Sequence, residues 1–250
     1  MTNAMAQLNR RIEEASLNAW PAMQQMLFDG WLLRFAGGFT KRSNSVVPLY
    51  AASLPIADKV HFCENLYARE RLQTIFRLTS TSDRSELDCL LDERGYRRID
   101  PTLVLSADLN DHARLPMPEG WQLLPPGEWL QAYAAATHLP ETSQQLHSAI
   151  LKGIRTDCGF AVLRQSDEVL ACGLGVVEQG LLGLFDIVTH PGHRREGHAR
   201  RLVQGLLAWG AQQGADTTYL QMLETNAAAH ALYSGFGFIG QYHYWYRISP

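Results

Sequence analysis

The run Leu181–Thr189 is apolar along most of its length. It leads through His190-Pro191-Gly192-His193-Arg194-Arg195-Glu196-Gly197 into a helical pattern that begins near His198. That helix, predicted to reach Gln213, sets Ala199, Leu202, Val203, Leu206 and Gly210 on one stripe at i, i+3, i+4, i+7 spacing. A strand that feeds an amphipathic helix through a glycine turn confines the chain to a sheet with helices packed on it. The turn is also an anion site. The first amides of a helix have no intrahelical acceptor, and the positive end of the helix dipole points the same way.

Around this junction, helices are predicted over Pro126–Thr137 and Ser143–Ile154, and strands over Gly159–Arg164 and Val169–Glu178, turning at Ser166-Asp167-Glu168. Thr217–Leu223 reads as a strand, Asn226–Ser234 as a short helix and Tyr242–Ile248 as an aromatic last strand. Strands and helices alternate only in part, so the class is α/β with a mixed (α+β) sheet flanked by helices.

Turn residues cluster between Ala107 and Gly120 (Asp108, Asn110, Asp111, Pro116, Pro118), which sets a boundary between residues 1–110 and 120–250. The first part holds a faint copy of the second. Strands are expected over Trp31–Phe35, Ser45–Ala52, Thr74–Thr79 and Thr102–Leu105, with helices over Ala57–Glu70 and Ser85–Glu93. Leu90-Leu91-Asp92-Glu93-Arg94-Gly95-Tyr96 aligns with Leu232-Tyr233-Ser234-Gly235-Phe236-Gly237-Phe238, each closing a short helix with Gly before an aromatic. Trp20, Met23, Met26 and Leu27 are expected in a helical core. Gly37-Gly38-Phe39-Thr40-Lys41-Arg42-Ser43 lacks the Gly-Lys-Ser/Thr of a phosphate loop and reads as a hairpin loop with a basic tip.

A net charge of −3 gives no basic excess to draw nucleic acid or a membrane surface. No run reaches the roughly 18 apolar residues of a membrane helix, and Met1–Leu8 is not a secretory signal. The four cysteines, Cys63, Cys89, Cys158 and Cys172, are too scattered for disulfide or zinc spacing. They are expected as reduced, mostly buried thiols in a cytoplasmic protein, monomer or homodimer.

Two motifs carry a resemblance. Arg194-x-x-Gly197-x-Ala199 between strand and helix, then Asn226-x-x-Ala229-x-x-Leu232-Tyr233 and Gly237-Phe238, resemble the two signatures of the GNAT superfamily of N-acetyltransferases, in that family's order. The resemblance covers about Gly120–Pro250 and implies tandem GNAT-like domains, the first degenerate. It implies acetyl-CoA as acyl donor. Amides of Arg195, Glu196, Gly197, His198, Ala199 and Arg200 would wrap the diphosphate of coenzyme A, with Arg194 adding charge. Ile187, Val188 and Thr189 would offer backbone groups to the pantetheine arm and an oxyanion donor. Asn226 would cap its helix and contact the pantetheine. Tyr233, on the same helix face, would protonate the leaving thiolate. Leu91 stands at the matching place in the first half, where no Arg-x-x-Gly turn occurs, so that half is expected not to bind acyl-CoA.

The base is less defined. Many relatives place a Glu on the strand before the turn, but here the equivalent sites are Gly183 and Phe185. Asp186 is adjacent and reaches the right face only if a bulge rotates it. Glu178, Glu224, His190 and a chain of water are the alternatives. His190 and His193 show no third ligand in sequence, so no metal is expected. The implied activity is direct acetyl transfer to a small-molecule primary amine, without an acyl-enzyme. A protein or peptide amine acetyltransferase, or a sensor that binds acyl-CoA without catalysis, are the alternatives.

Overall fold

The structure is a computed structural model and describes residues 3–51, 53–81, 84–110 and 115–250. Its first half runs α1 (Asn3–Ala19), β1 (Gln24–Phe28), β2 (Trp31–Phe35), β3 (Val46–Pro48), α2 (Ile56–Arg69), β4 (Ile75–Thr79), α3 (Ser85–Glu93) and β5 (Arg97–Asp108). The second runs β6 (Trp121–Leu123), α4 (Pro126–Thr137), α5 (Glu141–Gly153), β7 (Asp157–Gln165), β8 (Glu168–Glu178), β9 (Leu181–Thr189), α6 (His198–Gln212), β10 (Thr217–Leu223), α7 (Ala227–Ser234) and β11 (Ile239–Ile248). Ala52 and Asp111, in the expected strand Ser45–Ala52 and the expected linker, lie outside the described residues.

All the strands form one mixed sheet in the order β1-β2-β3-β4-β11-β5-β10-β9-β8-β7-β6. β5 ends at Asp108 and β6 begins at Trp121, but the halves are not joined merely by a linker. β11 lies between β4 and β5, antiparallel to both, and β5 runs antiparallel to β10. Each half therefore closes its sheet with the other's last strand. The aligned segments also end alike. Gly95 and Gly237 both hold φ +79, and the following amides return to the matching carbonyls, Tyr96 to Leu91 and Phe238 to Tyr233.

Helices cover both faces. α1, α4 and α5 bury Ile12, Trp129, Ile150 and Leu151 against Phe160, Leu174, Phe185 and Tyr219. On the other face α6 buries Leu202, Val203 and Leu206 against Leu182, Leu184 and Leu220, with Tyr233 in the same cluster. α2 and α3 cover β2 and β4 through Val60, Cys63, Leu87 and Leu91. Glu13 of α1 pairs with Arg77 of β4 and accepts from the Tyr242 hydroxyl of β11. This ties the first helix to strands of both halves.

Three expectations change. Met23, Met26 and Leu27 are not helical core. Pro21 follows the end of α1; Met23, just before β1, is 43 % exposed, and β1 as an edge strand leaves Met26 and Leu27 40 and 67 % exposed, whereas Trp20 is buried. The strand expected over Ser45–Ala52 shrinks to β3, because the amides of Leu49 and Tyr50 turn back to Gly30. Conversely β5 outgrows Thr102–Leu105, since strands on both sides satisfy its backbone over almost its whole length. Among the cysteines Cys63 and Cys172 are buried, Cys158 is intermediate and Cys89 is exposed, all as free thiols.

Candidate active site

β9 and β10 run parallel and in register from Leu181–Thr217 to Leu184–Leu220 and then part. Beyond that point β9 keeps its pairing with β8 on one edge only. Backbone groups of Asp186–Thr189 consequently face a wedge between two strands, and Ile187, Val188 and Thr189 are half-buried along it. An extended ligand can pair with such an edge.

The wedge opens onto the turn. Gly197 caps α6 at φ +82, and no described atom lies within 4 Å of the position a Cβ would take. Arg195 also has positive φ, +66. The first amide in this stretch to find an acceptor is that of Arg201, which bonds to Gly197 O at 3.1 Å. Those of Arg194, Arg195, Glu196, Gly197, His198, Ala199 and Arg200 have none among the described residues. Alternating hand around a glycine with free amides makes an anion-binding nest at a helix start. The arginines divide. Arg194 and Arg195 are exposed without partners among the described residues. Arg200 lies over Phe236 at 5.0 Å, and Arg201 donates to Glu119 O at 2.7 Å.

Asn226 caps α7 by accepting from Ala229 N at 3.0 Å. One helical turn further, Tyr233 packs edge-on to Phe238 and is buried, while its hydroxyl has no hydrogen-bond partner among the described residues. Burial alone pushes this phenol well above its ordinary pKa, so it keeps its proton at neutral pH.

Asp186 reaches its place through a bulge. Leu174 faces Phe185 and Cys172 faces Val188, so Gly173 opposes both Asp186 and Ile187, and Asp186 holds φ +50. Strict alternation would send Asp186 toward α6 with Leu182 and Leu184. The extra residue sends Ile187 there instead and leaves Asp186 on the Phe185 face. Beside the bulge, Trp129 Nε1 is shared between Gly173 O and Ala161 O, each at 3.1 Å. Asp186 Oδ2 stands 2.9 Å from His147 Nε2, with the carboxylate 10 % and the imidazole 1 % exposed. Their approach is off the line of a hydrogen bond, so Asp186 Oδ2 and both imidazole nitrogens are buried without a hydrogen-bond partner. Tyr133 lies against the same carboxylate; burial first, then the Asp186 charge, pushes its phenol up.

His147 escaped notice in the sequence because its partner lies on another element. The available signal was a polar residue on the buried stripe His147, Ile150, Leu151 of α5. The other candidate bases have separate settings. Glu178 accepts from Asn18 beside a cleft of about 290 Å³ at the start of β9, away from the bulge. Glu224 is exposed, and the His190 ring accepts from Gly192 N. The structure also supplies the third donor that sequence did not show near His190 and His193. Glu168, from the start of β8, lies 2.8 Å from His193 Nε2, and His193 shares a second cluster with Glu196 and His198. These are the residues near the turn with the donor set to hold a metal ion.

Comparison with known proteins places this geometry. A family model described as "Probable histone acetyltransferase Rv0428c C-terminal" matches residues 6–247. A Bacillus subtilis protein named uncharacterized N-acetyltransferase YobR is 28% identical over 244 residues, covering 94% of this chain and 97% of its own. The Mycobacterium tuberculosis protein named probable histone acetyltransferase Rv0428c is 26% identical over 255 residues, covering 91% of this chain and 70% of its own. Among solved structures, a GCN5-related N-acetyltransferase from Kribbella flavida superposes with a TM-score of 0.71 over 96% of this chain and 95% of that one, at 17% identity.

Proposed function

The chain belongs to the Rv0428c C-terminal family of GNAT-type N-acetyltransferases, and from that premise we propose that it carries an acetyl group from acetyl-CoA to the primary amine of a small molecule. The observation that carries this reading is the wedge between β9 and β10, ending at a turn whose amides from Arg194 to Arg200 have no acceptor among the described residues. The residues fit the donor. The open face of Gly197 leaves room for a diphosphate against the amides, and the unpaired edge Ile187–Thr189 suits an extended arm.

Acetyl-CoA, when bound, supplies an acyl group activated as a thioester. The protein's own residues manage protons around it. A protonated amine is no nucleophile, and Asp186 Oδ2, buried without a hydrogen-bond partner, is placed to accept its proton. Tyr233 holds a proton on a hydroxyl that burial keeps un-ionised, ready for the departing thiolate. An amide of the Ile187–Thr189 edge serves as oxyanion donor. The new C–N bond replaces the C–S bond; of the two protons an ammonium nitrogen loses, one passes by way of Asp186 to solvent and the other is balanced by the proton the sulfur gains from Tyr233. Both cysteines near this face, Cys158 and Cys172, have thiols that burial pushes up, to about 11 and about 12. Neither is a ready nucleophile, which favours direct attack. The first half keeps the framework but has Leu91 where Tyr233 stands, and it serves as a non-catalytic partner.

The test is an amine panel with acetyl-CoA, read as free thiol corrected for hydrolysis. Amine-dependent thiol release supports transfer. Coenzyme A binding without turnover on small amines, peptides or proteins would make the chain a sensor instead. Turnover confined to protein amines would favour the activity named for the mycobacterial relative.

A further inference from the structure

The first half lays Trp20 and the loop between β2 and β3 against His147 and Phe185. Trp20, just past α1, stacks on Phe185 at 6.2 Å and stands 5.3 Å from the His147 ring. Phe39 stands 5.4 Å from the same imidazole. Arg42 completes the layer, its Cζ 5.2 Å from the Trp20 ring and 5.9 Å from that of Phe185.

This loop is firmly built. Thr40 holds φ +59, a costly conformation for a β-branched residue. Trp20 Nε1 donates to its hydroxyl at 2.9 Å, and Ser43 Oγ meets it at 3.0 Å. Asn44 accepts the amides of Ala36 and Gly38 and donates to the carbonyls of Phe39 and Thr40. Buried Arg34 donates to the carbonyls of Arg42, Leu17 and Trp20.

Against that background the Arg42 guanidinium stands out. It has no hydrogen bond or ion pair among the described residues, whereas neighbouring Lys41 pairs with Asp100 at 2.8 Å. Stacking on Trp20 and Phe185 orients the fork and leaves its N–H groups unused. In the same cluster, Asp186 Oδ2 and both His147 nitrogens are buried and orphaned. Asp186 and Arg42 do not pair with each other, and Phe185 adjoins both. A buried carboxylate whose Oδ2 makes no hydrogen bond and a guanidinium with unused N–H groups, around an aromatic wall, complement a molecule that carries both an amine and a carboxylate.

We propose that this loop reads the acceptor. The substrate is an amino-carboxylate of the amino-acid class, with its amine at Asp186 and its carboxylate on the fork of Arg42. This rests on the acetyl-transfer reading and names its acceptor class. The first half then serves the reaction by holding the specificity-determining arginine in place.

The experiment compares L-amino acids with their amides and their decarboxylated amines as acceptors, in the full-length wild type and in Arg42→Gln and Arg42→Lys. The wild type is expected to favour the carboxylate over the matched amide about 10- to 100-fold in kcat/KM, the worth of a charge-assisted contact. Arg42→Gln is expected to bring that ratio near one, with Arg42→Lys between. A wild-type ratio near one, or an unchanged ratio in Arg42→Gln, overturns the proposal. If no amine turns over, the transfer reading fails separately, and calorimetry of the same amino acids with coenzyme A present decides the pocket. Binding that needs both the carboxylate and Arg42 supports it, and absence of binding overturns it.

Discussion

Replacing Gly197 by alanine separates folding from ligand binding at one atom. Gly197 holds φ +82, where an L side chain costs about 1–2 kcal/mol. No described atom lies within 4 Å of the new Cβ, so strain is the whole cost to the unliganded fold. At about 2–4 °C per kcal/mol for a chain of this size, Tm is expected to fall by about 2–8 °C. Gly214, in the turn after α6, supplies a matched control, with φ +86 and surroundings equally open. Gly214→Ala carries the same strain away from the turn and is expected to melt alike. The two variants diverge on coenzyme A. A methyl group in the nest displaces the diphosphate from at least one amide, and a hydrogen bond to a charged group is worth about 1.5–3 kcal/mol. Affinity is therefore expected to fall about 10- to 100-fold in Gly197→Ala and to stay within about twofold in Gly214→Ala. Scanning calorimetry and titration calorimetry with coenzyme A read both quantities. Equal affinities in the two variants, with equal melting shifts, would refute the placement of the diphosphate at this turn.

Tyr233→Phe removes a hydroxyl with no partner among the described residues, so Tm is expected to hold while kcat falls about 10²- to 10⁴-fold and coenzyme A affinity is kept; full turnover across the pH range would remove Tyr233 as the acid. Asp186→Asn is expected to lower kcat about 10²-fold or more with the same cofactor affinity, and an unchanged rate would hand the base's role to water. Glu13 is pushed up by burial, but Arg77 and the Tyr242 hydroxyl outweigh that and hold its carboxyl below the usual value. Its stabilisation is thus present above the unfolded pKa and lost as pH falls through the lower folded one. Glu13→Gln, which strands buried Arg77, is expected to cost about 3–5 kcal/mol at pH 7 and to flatten the stability profile below about pH 4.5; denaturant melts from pH 7 to 3 check both.

Much of the second half was legible in the residues because its signals are local. Periodicity located β9, β10 and α6, and the Arg194-x-x-Gly197-x-Ala199 turn needs only neighbouring positions to set a left-handed glycine at the helix start. The Leu91–Tyr96 and Tyr233–Phe238 segments announced their shared ending for the same reason, since a helix closed by left-handed glycine is written within a few residues. Pairing over long sequence separations was not legible. That β11 enters between β4 and β5 depends on edges that exist only after both halves have folded. The face taken by Asp186 depended on one extra residue at a bulge, which a period-2 pattern cannot foresee. The meeting of Asp186 with His147, of His147 with Trp20 and Phe39, and of Trp20 with Arg42 joins four separate stretches of chain. The sequence by itself determined a sheet-and-helix chain with a glycine turn of unpaired amides at a helix start, because short-range sterics suffice for that. Only the tertiary structure decided which side chains surround the candidate base, because burial and the hydrogen bonds left unmade are properties of the packed whole.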